Sequence, residues 1–190
     1  MRPTAPDPAD TDKWNAYLAE GNAKQARKRV AADVLLRDPS GRVLLVNPTY
    51  KPGWDLPGGM AEANEPPEDT VRRELVEELG LRVTLLGLLV VDWVAPHGPW
   101  DDQLAFIFDG GTLDEDQADR LRPRDDELSE AAFVTTAEAP GRLRDRTRRR
   151  FEHALKALDA GRPLYLRDGA PLMGATVPHP SCAQCGSPTA

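Results

Sequence analysis

Residues 59–81 read GMAEANEPPEDTVRRELVEELGL, and the fold turns on this stretch. Pro67 to Leu79 is predicted to be helical. Asn64, Pro66 and Pro67 are start signals, Glu68 and Asp69 suit the positive end of the helix dipole, and Gly80 is placed to end it. Val71, Leu75 and Leu79 make an apolar stripe. Glu74, Glu77 and Glu78 stand at i, i+3 and i+4 and so share one face beside that stripe, at the edge of the core. Three adjacent carboxylates repel one another, and a cation relieves the repulsion. Carboxylate oxygens are hard ligands suited to Mg²⁺, with Mn²⁺ as a substitute. Glu-rich helices also lie on solvated faces, so spacing alone leaves both readings open.

Outward from the helix, residues 47–59 form a Pro/Gly-rich loop ending in Trp54-Asp55-Leu56-Pro57-Gly58-Gly59. Before it, Val30 to Arg37 and Arg42 to Val46 are β-prone runs flanking Asp38-Pro39-Ser40-Gly41, which reads as a hairpin. Thr11 to Arg29 reads as a helix with Trp14, Tyr17 and Leu18 on one face, although Gly21 and Asn22 weaken it. Beyond Gly80, Val83 to Val91, Gln103 to Phe108 and Ala131 to Val134 are predicted strands. Arg146 to Ala160 is a last amphipathic helix, with Phe151, Ala154, Leu155 and Leu158 inward and Gly161 as terminator. This alternation favours an α/β or α+β sandwich around one mixed sheet. It divides the chain into an extension (1–29), a domain (30–160) and a Pro/Gly-rich tail (161–190), expected to be mobile after about Gly169.

The 190 residues suffice for one such domain with its core, and 40% hydrophobic with 29% charged residues is a globular profile. A net charge of −7 argues against general affinity for nucleic acid. Met1 to Asp12 lacks an apolar signal core, and Leu85 to Val91 is too short for a bilayer, so a cytoplasmic protein without membrane contact is expected. Cys182 and Cys185 could staple little, and they lack the second pair a zinc ribbon needs.

Gly59, Glu65, Arg73, Glu74, Leu75, Glu77, Glu78, Gly80 and Leu81 match every fixed position of G-x5-E-x7-R-E-U-x-E-E-x-G-U, where U is aliphatic. A chance match in such a chain has a probability below about one in a million. The stretch resembles the signature of the Nudix hydrolases. That resemblance implies an α/β/α sandwich and hydrolysis of a nucleoside diphosphate linked to another moiety. It implies Glu77 and Glu78 as principal metal ligands, Glu74 as ligand or general base, Glu65 as an auxiliary acid near the metal, and Arg73 as an orienting ion-pair partner. Gly58 and Gly59 would let backbone approach the metal or phosphate. The competing reading is a nucleotide-sensing module that keeps the fold without cutting; such members are expected to lose box acids, and none is lost here.

Cues to the substrate are weaker. Trp54, Trp93 and Trp100 could stack on a base or plug the core. Pro96 lies downstream of the signature at a distance that resembles the ADP-ribose-cleaving members of the family, which leans toward nucleoside-diphosphate sugars. Glu127 and Glu130 precede the last predicted strand, a placement similar to that of a further catalytic or metal-binding acid in many members of the family, or they are ordinary solvated glutamates of this acidic stretch. Arg142, Arg144, Arg146, Arg148, Arg149 and Arg150 form a basic cluster, expected to be a solvated helix face rather than a nucleic-acid surface. Exposed Trp14 and Tyr17 suggest a homodimer contact.

Overall fold

The computed structural model describes residues 5–172. In chain order the elements are α1 (Thr11–Ala23), β1 (Arg29–Arg37), β2 (Val43–Pro48), β3 (Gly58–Met60), α2 (Pro67–Leu79), β4 (Gly87–Val94) and β5 (Gln103–Thr112). There follow α3 (Glu115–Arg120), β6 (Leu128–Val134), α4 (Ala139–Arg142), α5 (Asp145–Ala160), β7 (Leu164–Arg167) and β8 (Ala170–Pro171). The strands make one sheet in the order β6-β2-β1-β5-β4-β7-β8, with β3 added to β1. β1 runs parallel to β5 and β4 parallel to β7; the other pairs are antiparallel.

Strand β1 is central and buried on both faces, as a strand in a parallel pair tends to be. Its Ala32, Val34 and Leu36 join Val71, Leu75 and Leu79 of α2 in one apolar cluster. Leu35 faces the other way, into a cluster with Ile107 and the α5 residues Phe151, Ala154 and Ala157. Two cores on opposite faces of one sheet give the expected α/β/α sandwich. No helix among the described residues is long and apolar enough to cross a membrane.

The hairpin turn is present, tied by Asp38. Its nearly buried carboxylate accepts hydrogen bonds from Ser40 N (3.0 Å), Ser40 Oγ (2.8 Å), Arg42 N (2.8 Å) and Arg42 Nε (2.7 Å). Asp38→Ala leaves two backbone N–H groups without that acceptor and is expected to lower stability by about 1–3 kcal/mol, read by urea unfolding.

Beyond the turn β2 leaves β1 after the Arg37–Val43 pair, because the Pro/Gly-rich loop inserts between them. Asp55 pairs with Val46, Pro57 O accepts from Val34 N at 2.9 Å, and β3 pairs with Ala31–Asp33. Three residues carry no alternation, so β3 reads as loop in the sequence.

Several boundaries differ from expectation. β4 starts at Gly87 rather than Val83, because Val83 and Leu85 pack on the α2 cluster as irregular chain. α1 stops at Ala23, just after the poor helix formers Gly21 and Asn22, and none of its residues is buried. Leu164–Arg167, assigned by sequence to the tail, pairs in parallel with β4 and belongs to the sheet. The mobility expected after Gly169 falls mostly outside the described residues, as do Cys182 and Cys185.

Candidate active site

Helix α2 ends in a left-handed Gly80 (φ 63°), with Gly80 N donating to Val76 O at 3.0 Å and Leu81 N to Leu75 O at 2.9 Å. The helix is therefore held at both ends, by Pro67 and by this cap, and its face is fixed against β1. The three glutamates are graded by depth. Glu78 is 5% exposed and lies in the stripe with Val71 and Leu75, whereas the Glu74 side chain is 15% exposed and that of Glu77 56%. Sequence placed all three at the core's edge; Glu78 is inside it.

Arg73 organises the outer part. Its Nε donates to Glu65 Oε1 at 2.9 Å and its Nη2 to Glu65 Oε2 at 3.2 Å. Nη1 donates to Glu74 Oε1 and Glu77 Oε2, each at 3.0 Å, and Nη2 to Met60 O of β3 at 3.1 Å. Glu65 Oε2 also accepts from Glu62 N and Thr70 Oγ1, both at 2.9 Å. Arg73 first, then these donors, hold the Glu65 carboxyl down at about 2. Both Glu65 oxygens are hydrogen-bonded, and the carboxylate anchors Arg73. Buried Thr70, which steadies it, was not singled out from sequence.

The inner part is electrostatically strained. Burial, then the charges of Glu74, Asp125 and Glu127, push the Glu78 carboxyl up to about 8, while the backbone N–H of Gly58 opposes the shift. Glu78 Oε2 is buried without a hydrogen-bond partner. Burial likewise raises Glu74, against the pull of Arg73. Asp125 lies in the acidic stretch of which only Glu127 and Glu130 were singled out. Among the described residues no three acidic, His or Cys side chains converge in metal-holding geometry. The donor set still fits a hard divalent cation: Glu78 has an orphaned buried oxygen within electrostatic reach of Glu74, Asp125 and Glu127, and exposed Glu77 is held by its ion pair with Arg73.

The glycines have steric reasons here. A Cβ on Gly58 (φ 136°) would lie 2.2 Å from Ala32 O, and one on Gly59 would lie 2.4 Å from Glu74 Oε1. Close approach of β1 and of the Glu74 carboxylate requires them, in addition to any contact with a ligand.

Trp54 and Trp93 have partners within the chain. Trp54 packs on the α5-side core with Arg142 4.9 Å from its ring centroid. Trp93 donates from Nε1 to Asp102 at 2.9 Å, with Arg167 5.3 Å from its ring. The arginine cluster is not simply a solvated face. Arg144 pairs with Asp55, and Arg150 lies between Asp33 (3.8 Å) and Asp92 (3.5 Å) because position 150 adjoins the inward positions 147, 151 and 154. Burial pushes the Asp33 carboxyl up to about 7 despite Arg150.

Known proteins resemble this chain in sequence and in fold. An 8-oxo-dGTP diphosphatase of Proteus vulgaris is 53% identical over 46 residues, covering 24% of this chain and 39% of that protein. A MutT-like protein of Streptomyces ambofaciens is 44% identical over 52 residues, covering 27% and 33%. The matches thus span little more than a third of these relatives. A MutT protein structure from Methanosarcina mazei superposes with a TM-score of 0.58 at 23% identity, over 70% of this chain and 97% of that one. A UDP-X diphosphatase structure gives 0.62 at 19% identity, over 83% and 75%. At these identities the structures speak for the fold alone. The sequence profile of the NUDIX domain, however, matches residues 27–155, well over half of the chain, and with it this chain belongs to the NUDIX family.

Proposed function

We propose that this chain hydrolyses a diphosphate bond in a nucleotide-like compound, with Mg²⁺ or Mn²⁺ held by Glu74, Glu77 and Glu78. The observation that carries the reading is Glu78: a buried carboxylate oxygen with no partner, facing other acids, is costly unless a cation neutralises it. A bound divalent cation supplies positive charge to the diphosphate oxygens and makes the attacking water more acidic.

Glu74 is the proposed proton acceptor. Its raised pKa brings it toward the operating pH, where a general base works best. Arg73 positions Glu74 and Glu77, and Glu65 with Thr70 holds Arg73 in place. Glu127, near Glu78, and the Gly58-Gly59 backbone border the reacting phosphates. Trp54 and Trp93 are left out, because their rings already pack against arginines.

The activities of the relatives and structural neighbours suggest the substrates to screen: 8-oxo-dGTP, other dNTPs, UDP-linked compounds and ADP-ribose. At least one is expected to be cleaved with Mg²⁺ and spared in EDTA. Glu77→Gln is expected to lower that turnover about tenfold to a hundredfold with an unchanged melting curve, as loss of an exposed ligand would. Equal turnover by wild type and variant across the screen would sink the proposal.

A further inference from the structure

Next to the C-terminal end of α2 lies a cavity of about 470 Å³, apart from the carboxylates. Leu79, Leu81 and Leu121 give it apolar lining, and Arg82, Arg120, Arg122 and Arg124 bring four guanidinium groups to it. That concentration runs against composition, since the chain has 31 acidic and 24 basic residues.

The acids lining the cavity do not balance these charges. Asp114 caps α3, accepting from Gln117 N at 2.7 Å, and Asp116 pairs with Arg120 at 3.3 Å. Among the described residues Arg82, Arg122 and Arg124 have no carboxylate partner; Arg122 Nη1 donates to the backbone carbonyls of Asp119 at 2.9 Å and Leu121 at 2.5 Å. Val76 O and Leu75 O of the helix end are already satisfied by Gly80 N and Leu81 N, so the arginines are not needed to cap those two carbonyls. Arg124 lies so close over the cap that a Cβ on Gly80 would come within 2.1 Å of its Nε. Its own backbone N–H donates to Glu78 O at 2.8 Å, which ties the main chain of Arg124 to the end of α2.

We propose that this cavity is an anion site for a compact phosphorylated ligand, with a phosphate or diphosphate group held by Arg82, Arg122 and Arg124. Guanidinium groups pair with phosphate oxygens through two parallel hydrogen bonds, and several around one cavity neutralise a dianion that a single arginine would not. The volume falls within the range of small-molecule sites, and the leucines offer apolar surface to whatever the phosphate carries. The site does not rest on the hydrolase reading, because it needs no divalent cation.

The test is calorimetric titration of the full chain with inorganic pyrophosphate, and separately with ADP, in EDTA at about 0.15 M salt, where weak surface attraction is screened. Saturable binding of one equivalent is expected. Arg82→Gln and Arg124→Gln should each weaken it about tenfold or more, while Arg148→Gln on α5 leaves it unchanged. Tighter binding of ADP than of pyrophosphate would assign the leucines to a base; equal binding would assign the site to the phosphates alone. Absence of saturable binding, or the same loss in Arg148→Gln, would overturn the proposal. Exposed Arg82 supports no core contact, so its variant keeps the test valid even where Arg124→Gln lowers the melting temperature.

Discussion

Glu78→Gln is expected to cut turnover about a hundredfold to a thousandfold and, in the same protein without metal, to raise the melting temperature at alkaline pH. Both effects come from one buried oxygen. In the unfolded chain Glu78 loses its proton near 4.5, whereas in the fold it keeps it to about 8. Between those values the native state binds one more proton than the unfolded state, so stability falls as pH rises, by about 1.4 kcal/mol per pH unit. Below that window both states are protonated and the residue is neutral toward stability; above it the full penalty is present. Glutamine does not titrate, so its advantage begins above the lower value and is complete above the upper one. Scanning calorimetry of wild type and variant from pH 5 to 9 in EDTA checks this, with ~1.4 kcal/mol per unit as the expected slope of the difference. Added Mg²⁺ or Mn²⁺ should stabilise wild type more than the variant. Parallel pH dependence in the two proteins would show that Glu78 is not the strained group.

The adjacent glycines are expected to fail in opposite ways. Gly58→Ala sets a Cβ against the backbone oxygen of Ala32, where no side-chain rotation relieves it, on a φ of 136° that alanine resists. Backbone strain and overpacking together are expected to cost about 3–5 kcal/mol, a large share of a domain's stability. Gly59→Ala meets the carboxylate end of Glu74, which can swing aside. That variant should melt within a few degrees of wild type and lose most of its turnover, because Glu74 leaves Arg73. Denaturation curves and turnover on the same two proteins separate the cases; a stable, active Gly58→Ala would show that β3 is not pinned to β1.

The helix of the signature was legible because proline, acids and glycine mark its ends and a 3.6-residue stripe marks its face. The depth of Glu78 was missed although the sequence carried a signal for it: the residue stands seven positions after Val71 and three after Leu75, inside that stripe. A run of glutamates hides this, since charge is read as exposure. Arg150 was obscured in the same way by its neighbours Arg148 and Arg149. Other features had no local signal. β3 is three residues long, β7 is four, and the arginine cavity brings Arg82 together with residues some forty positions away. α3 did carry a signal, the reciprocal Asp114–Gln117 cap, in a less common residue pair than Ser/Thr with Glu.

The insertion of the glycine loop between β1 and β2 also governs how the molecule meets its own copies. Once β2 departs, the backbone of Ala31 to Asp33 would be an open sheet edge, and open edges recruit strands from other chains. β3 closes that edge with the same residues that bring Gly59 against Glu74. Loosening the loop therefore does more than scatter the carboxylates: it uncovers a template for aggregation in the middle of the sheet.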